Sequence, residues 1–124
     1  MPTTTPQDIA VRYIATWNEA DPDRRRALVA ALWADDAAYR DPLSQARGHD
    51  AVAALIGGVQ ARFPDFRFTL AGQPDGHGTS VRFSWDLGPA GTDPVVQGTD
   101  FAELAPDGRL RAVTGFLDRV PAGA

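Results

Sequence analysis

Val96-Gln97-Gly98-Thr99-Asp100-Phe101-Ala102-Glu103-Leu104 alternates in character along the chain, and the fold follows from how that stretch is read. With a period of two, Val96, Gly98, Asp100, Ala102 and Leu104 share one face, while Gln97, Thr99 and Glu103 share the other. The pattern predicts a strand with one buried face, and Asp100 stands on it. An ionised carboxylate on a buried face is costly unless paired, so such a group takes up a proton or finds donors. Three readings are open: a carboxylate tied to backbone or arginine, a bulge that turns it outward, or a pocket acid with a raised pKa. Only the last carries chemistry.

Outward from this strand, Ala105-Pro106-Asp107-Gly108 reads as a hairpin turn and residues 110–118 as the last strand. Upstream, Val81, Phe83, Trp85 and Leu87 alternate, as do Phe66, Phe68 and Leu70. Turns are expected at Gln73-Pro74-Asp75-Gly76 and over 88–93. Before residue 64 the period is helical. Ala10, Tyr13, Ile14 and Trp17 fall at i, i+3, i+4 and i+7, which predicts a helix over 8–19. Asp21-Pro22 supplies an N-cap and a proline at the first position of a second helix, running to Trp33 or Ala34. Arg24-Arg25-Arg26, inside it, reads as a solvated face. Asp35-Asp36 interrupts, and residues 37–41 read as a short strand whose end, Asp41, is held extended by Pro42. A loop over 43–48 precedes a third helix opened by His49-Asp50, with Val52, Leu55, Ile56 and Val59 on one face.

Helices followed by hairpin-linked strands predict an α+β fold. Three N-terminal helices would pack on a cone-shaped, curved antiparallel sheet and enclose a pocket. The chain, 1–124, reads as one domain with an ordered core over about 8–119. Phe101, Val113 and Leu117 are assigned to the outer sheet face, which predicts a homodimer through it.

What is missing narrows the chemistry. The 124 residues include no cysteine, and all twelve basic residues are arginine. Thiolate nucleophiles, disulfides, Schiff bases and lysine-dependent phosphate loops therefore drop out. His49 and His77 form no metal-binding pair, and none of the three serines sits in a nucleophile elbow. No metal or cofactor is expected. A net charge of −4 and a pI near 4.9 argue against nucleic acid as partner. The apolar runs are too short to span a bilayer, and Met1-Pro2-Thr3-Thr4-Thr5-Pro6 has neither the basic nor the apolar region of a signal peptide. A cytoplasmic location without membrane contact is expected. Asp, Tyr, Arg and Trp remain for chemistry.

Arg12-Tyr13-Ile14-Ala15, then Trp33-Ala34-Asp35-Asp36-Ala37-Ala38-Tyr39-Arg40-Asp41-Pro42, then Gly98-Thr99-Asp100 and Asp107-Gly108-Arg109-Leu110 resemble the nuclear transport factor 2-like superfamily. Within it the chain is similar to ketosteroid isomerases and small polyketide-cyclase-like (SnoaL-like) proteins. The similarity spans about residues 8–118. Residues 18–41 are longer than in the isomerases by about one helical turn, and 101–104 are less aromatic. The resemblance implies a catalytic tyrosine at Tyr13, a base at Asp41, and at Asp100 an acid that shares the oxyanion hole with the tyrosine. In the isomerases one carboxylate is the base and the second, held protonated, donates a hydrogen bond.

Each residue also has a plainer reading. Tyr13 on its apolar stripe fits a core tyrosine, and Asp41 before Pro42 fits an Asx-turn. Trp17, Trp85 and Phe83 are the candidate substrate-contacting aromatics. The function expected is handling of a small, apolar carbonyl compound. Asp41 would abstract a proton α to the carbonyl, while Tyr13 and Asp100 stabilise the enolate. That covers isomerisation and aldol-type cyclisation. A non-catalytic ligand-binding or dimerisation module is the alternative. Epoxide hydrolysis ranks behind both, because it wants an arginine set between two aspartates and no such alternation is evident.

Overall fold

The computed structural model describes residues 5–121. Residues 1–4, part of the segment expected to lack signal-peptide features, and residues 122–124 lie outside the described residues. In chain order come α1 (Pro6–Asn18), α2 (Pro22–Leu32), β1 (Trp33–Arg40), β2 (Gln45–Arg47) and α3 (His49–Arg62). Then follow β3 (Phe66–His77), β4 (Ser80–Pro89), β5 (Val96–Leu104) and β6 (Leu110–Arg119). Thr5 and Asp8 close a capping box at the start of α1, each side chain accepting from the other's backbone N–H at 3.1 Å. Asp21 caps α2, with Pro22 at its first position. The α1 stripe buries Ile9, Ala10, Tyr13, Ile14 and Trp17. Arg25 departs from the solvated-face expectation. It donates to the carbonyls of Glu19 and Ala20 and to the Gln60 side chain, clamping α2 against the end of α1 and against α3. No helix among the described residues is long and apolar enough to cross a membrane.

Six strands form one curved, unclosed sheet in the order β2-β1-β6-β5-β4-β3. The run β3 to β6 is antiparallel, as the alternation predicts. β1 lies parallel to β6, so the sheet is mixed rather than antiparallel throughout. These two strands are distant in sequence, and no hairpin ties their directions together. β1 also begins at Trp33 rather than at residue 37. Asp35 and Asp36 do not interrupt it: both are exposed within it, where the register against β6 slips between Trp33 and Ala38. Such an irregularity lets two successive side chains reach water. The turn expected at Gln73 to Gly76 lies inside β3, around a register slip at Gly72, whose φ is 72°. β3 is an edge strand and so tolerates Pro74, and the chain reverses at Gly78 instead. Part of the expected 43–48 loop pairs as β2.

On β5 the predicted faces hold: Val96, Gly98, Asp100 and Ala102 are buried and Phe101 is exposed. The assignment of Val113 and Leu117 to the outer face does not. Ala102 pairs with Val113 and Gly98 with Leu117, and directly opposed residues share a face, so both point inward. Period-two counting separates two faces without saying which is inside; the β5 register decides that. The outer aromatic next to Phe101 is Phe116, with ring centroids 5.7 Å apart and edge-on.

Candidate functional site

The concave face of the sheet, α1 and the end of α3 enclose a cavity of about 250 Å³. Tyr13, Asp41 and Asp100 all line it, delivered by α1, the end of β1 and β5 respectively. Its walls are mainly apolar, with Trp17, Phe68, Trp85, Leu87, Val96 and Leu117 among them. Trp85 can lie flat because Gly98 faces it across the strand pair: a Cβ on Gly98 would overlap the indole ring.

Asp41 forms an Asx-turn and also lines the cavity. Its Oδ1 accepts from the backbone N–H groups of Leu43 and Ser44, each at 2.8 Å, which is an Asx-turn. Its Oδ2 accepts from the Tyr39 hydroxyl at 2.5 Å, and the residue lines the cavity. Gly115 lies on β6 directly opposite Asp100. A Cβ there would stand 2.8 Å from Asp100 Oδ1, 3.3 Å from Asp41 Cβ and 3.6 Å from Tyr39 Oη. The Asp100 carboxyl, the Cβ of Asp41 and the Tyr39 hydroxyl thus border a spot that stays free only because residue 115 has no side chain.

Asp100 is 2% exposed. Burial pushes its carboxyl up from 3.8 to about 6. Tyr13 and Trp85 beside it pull back, and the charges of Asp41 and Asp118 push the same way as burial. Asp100 Oδ1 and Tyr13 Oη are both buried without a formed hydrogen bond, so Tyr13 acts on the carboxyl by proximity rather than through an aligned bond. Trp17 Nε1 is likewise buried and unpartnered. Burial, and then the charge of Asp100, hold the Tyr13 and Tyr39 hydroxyls well above the ordinary tyrosine range, so both keep their protons. Unpartnered buried donors beside a carboxyl near its midpoint suit a ligand that brings an acceptor oxygen.

Among the expected substrate aromatics, Trp17 and Trp85 line the cavity and Phe83 does not. Phe83 is on the predicted face of β4 but packs edge-on against the Tyr13 ring at 4.9 Å, in the core. Sequence reasoning passed over Tyr39 and Gly115. Tyr39 is two residues before Asp41 on an extended segment, and that same-face spacing was the available signal. Gly115 offered none. Arg62 is the only arginine among the described residues that lines the cavity. Among the described residues no three His, Asp or Glu side chains are grouped to hold a metal ion.

This frame, three helices against a curved open sheet with a carboxylate-bearing cavity between them, is the nuclear transport factor 2-like α+β fold. An NTF2-like protein of unknown function from Cytophaga hutchinsonii superposes on it with a TM-score of 0.68 at 12% identity, over 94% of this chain and 93% of that one. The model of the SnoaL-like domain matches residues 10–113, and the chain belongs to that family. A protein described as "a putative isomerase of the SnoaL-like family" from Agrobacterium tumefaciens is 49% identical, with a TM-score of 0.86 over 89% of this chain and 94% of that one. A "putative SnoaL-like polyketide cyclase" from Jannaschia sp. is 17% identical, with a TM-score of 0.73 over 95% and 89%. No curated protein matches the chain.

Proposed function

We propose that this protein is an isomerase or cyclase that abstracts a proton α to the carbonyl of a small, apolar compound. The observation that carries the reading is the meeting of Tyr13, Asp41 and Asp100 in one apolar cavity, with Gly115 leaving the space beside the Asp100 carboxyl free. Asp41 takes the proton from the α-carbon. The C–H electron pair moves into the new C=C bond, and the carbonyl π pair moves to oxygen as an enolate. Tyr13 Oη and the protonated Asp100 donate to that oxygen, in a site where displaced water no longer competes. Isomerisation follows when Asp41 returns the proton at the γ-carbon. Cyclisation follows when the α-carbon attacks a second carbonyl of the same molecule, whose π pair moves to its oxygen and takes up the proton held by Asp41. The descriptions of the Agrobacterium and Jannaschia proteins support both outcomes. A cavity of about 250 Å³, below the usual span of drug-sized pockets, favours a compact substrate.

A second reading makes Asp100 the base, because a carboxyl titrating at about 6 is matched to proton transfer near neutrality. Turnover of a panel of β,γ-unsaturated ketones and cyclisable polyketones tests the proposal. An inert wild type that still binds such ligands would instead mark a non-catalytic binding module. We further infer that two copies pair through the outer sheet face, where Phe101 and Phe116 are 45% and 50% exposed.

A further inference from the structure

Asp41 follows the last residue of β1 and leads into Pro42. Here it is held by three bonds, and they divide unequally between its oxygens. A carboxylate offers about four acceptor positions, two per oxygen. Oδ1 has both filled by the Leu43 and Ser44 N–H groups. Oδ2 has one filled by Tyr39, so the remaining position is on Oδ2. Tyr39 is itself fixed. It is 5% exposed, with its ring 5.7 Å from that of Trp17 and 6.3 Å from that of Trp33. Its hydroxyl has one proton to give, and Asp41 receives it. That sets Tyr39 apart from Tyr13, whose hydroxyl is buried with no partner and is therefore the group left for a substrate oxygen.

We infer that Tyr39 is the positioning residue of the site: its hydroxyl aims Asp41 so that Oδ2 is the atom that takes the substrate proton. This rests on the proton-transfer reading above. Tyr39 also lines the cavity, but its one hydroxyl proton goes to Asp41, and it acts on the reaction through that carboxylate.

Tyr39→Phe tests it, since the ring and its packing stay while the hydroxyl goes. With an accepted ketone, kcat falls by about 10–100-fold, the scale of a misaimed catalytic group, while KM stays within about twofold. In an Asp41→Asn background the same change has no further effect, because the group it positions is gone. An unchanged kcat overturns the inference, and so does an equal loss in both backgrounds. A second readout needs no turnover: the carbon-13 chemical shift of the Asp41 side-chain carboxyl at one fixed pH in wild type and Tyr39→Phe. Loss of the Tyr39 donor to Oδ2 moves that signal, and an unmoved signal overturns the inference. Inertness of the wild type toward every ketone would remove the proposed function but leave the NMR comparison to decide the role of Tyr39.

Discussion

Replacing Asp100 with asparagine keeps the shape of the side chain and removes its titration. In the wild type this buried carboxyl titrates at about 6 rather than 3.8. Between those values the native state holds a proton that the unfolded chain has released. The stabilisation linked to that proton is complete below 3.8 and is lost as pH climbs through about 6. Roughly two pKa units at 1.36 kcal/mol each put the loss near 3 kcal/mol. For a domain of this size that is roughly 10 °C in Tm. Asparagine resembles the protonated acid, so the two proteins should be close in stability near pH 4. The mutant should then draw ahead, reaching about 3 kcal/mol above pH 7. Urea unfolding of both at steps from pH 4 to 7.5 measures this. The other titrating groups cancel in the difference between the two proteins. A mutant that loses ground as pH rises would show Asp100 ionised and paired in the native state, and would defeat the account of the buried acid.

Four further outcomes are expected. Asp41→Asn lowers turnover of an accepted ketone by about 10²–10⁴-fold, the usual weight of a general base, while calorimetry finds ligand binding retained. Gly115→Ala sets a methyl 2.8 Å from Asp100 Oδ1 and 3.3 Å from Asp41 Cβ; turnover should collapse and stability should fall by about 1–3 kcal/mol, as overpacking costs, and a fully active variant would show the spot is not used. Gly98→Ala drives a Cβ into the Trp85 ring and should cost about 1–3 kcal/mol, as overpacking does, read by chemical unfolding. Light scattering should give a dimer at micromolar concentration that Phe116→Glu splits into monomers; a monomeric wild type would remove the outer-face pairing.

Much of this molecule can be read from local periodicity, and its failures share a cause. The α1 stripe and the β5 alternation each describe one element against one core, and both faces came out as expected. Asp100 is the clearest case, since a period of two was enough to bury it. Pairing between distant segments was not readable: β1 joins β6 in parallel because of where the sheet closes on it, and nothing within residues 33–40 encodes that. The same limit misplaced Val113 and Leu117, whose inward face is set by register against β5. Phe83 shows a third limit. Alternation gives the side of a strand but not the depth along it, and Phe83 ended beneath Tyr13 while Trp85, two residues on, reached the cavity. Of the site itself, Tyr39 was readable through its spacing to Asp41. Gly115 matters through what it lacks, which no pattern of side chains records.

The most direct test of the proposed chemistry is the pH dependence of kcat/KM with a β,γ-unsaturated ketone. If Asp41 is the base and protonated Asp100 a donor to the enolate, activity declines as pH rises through about 6, the midpoint of Asp100. In Asp100→Asn that decline is absent. Activity that instead rises through about 6, with the rise lost in Asp100→Asn, would make Asp100 the base and contradict the assignment of Asp41.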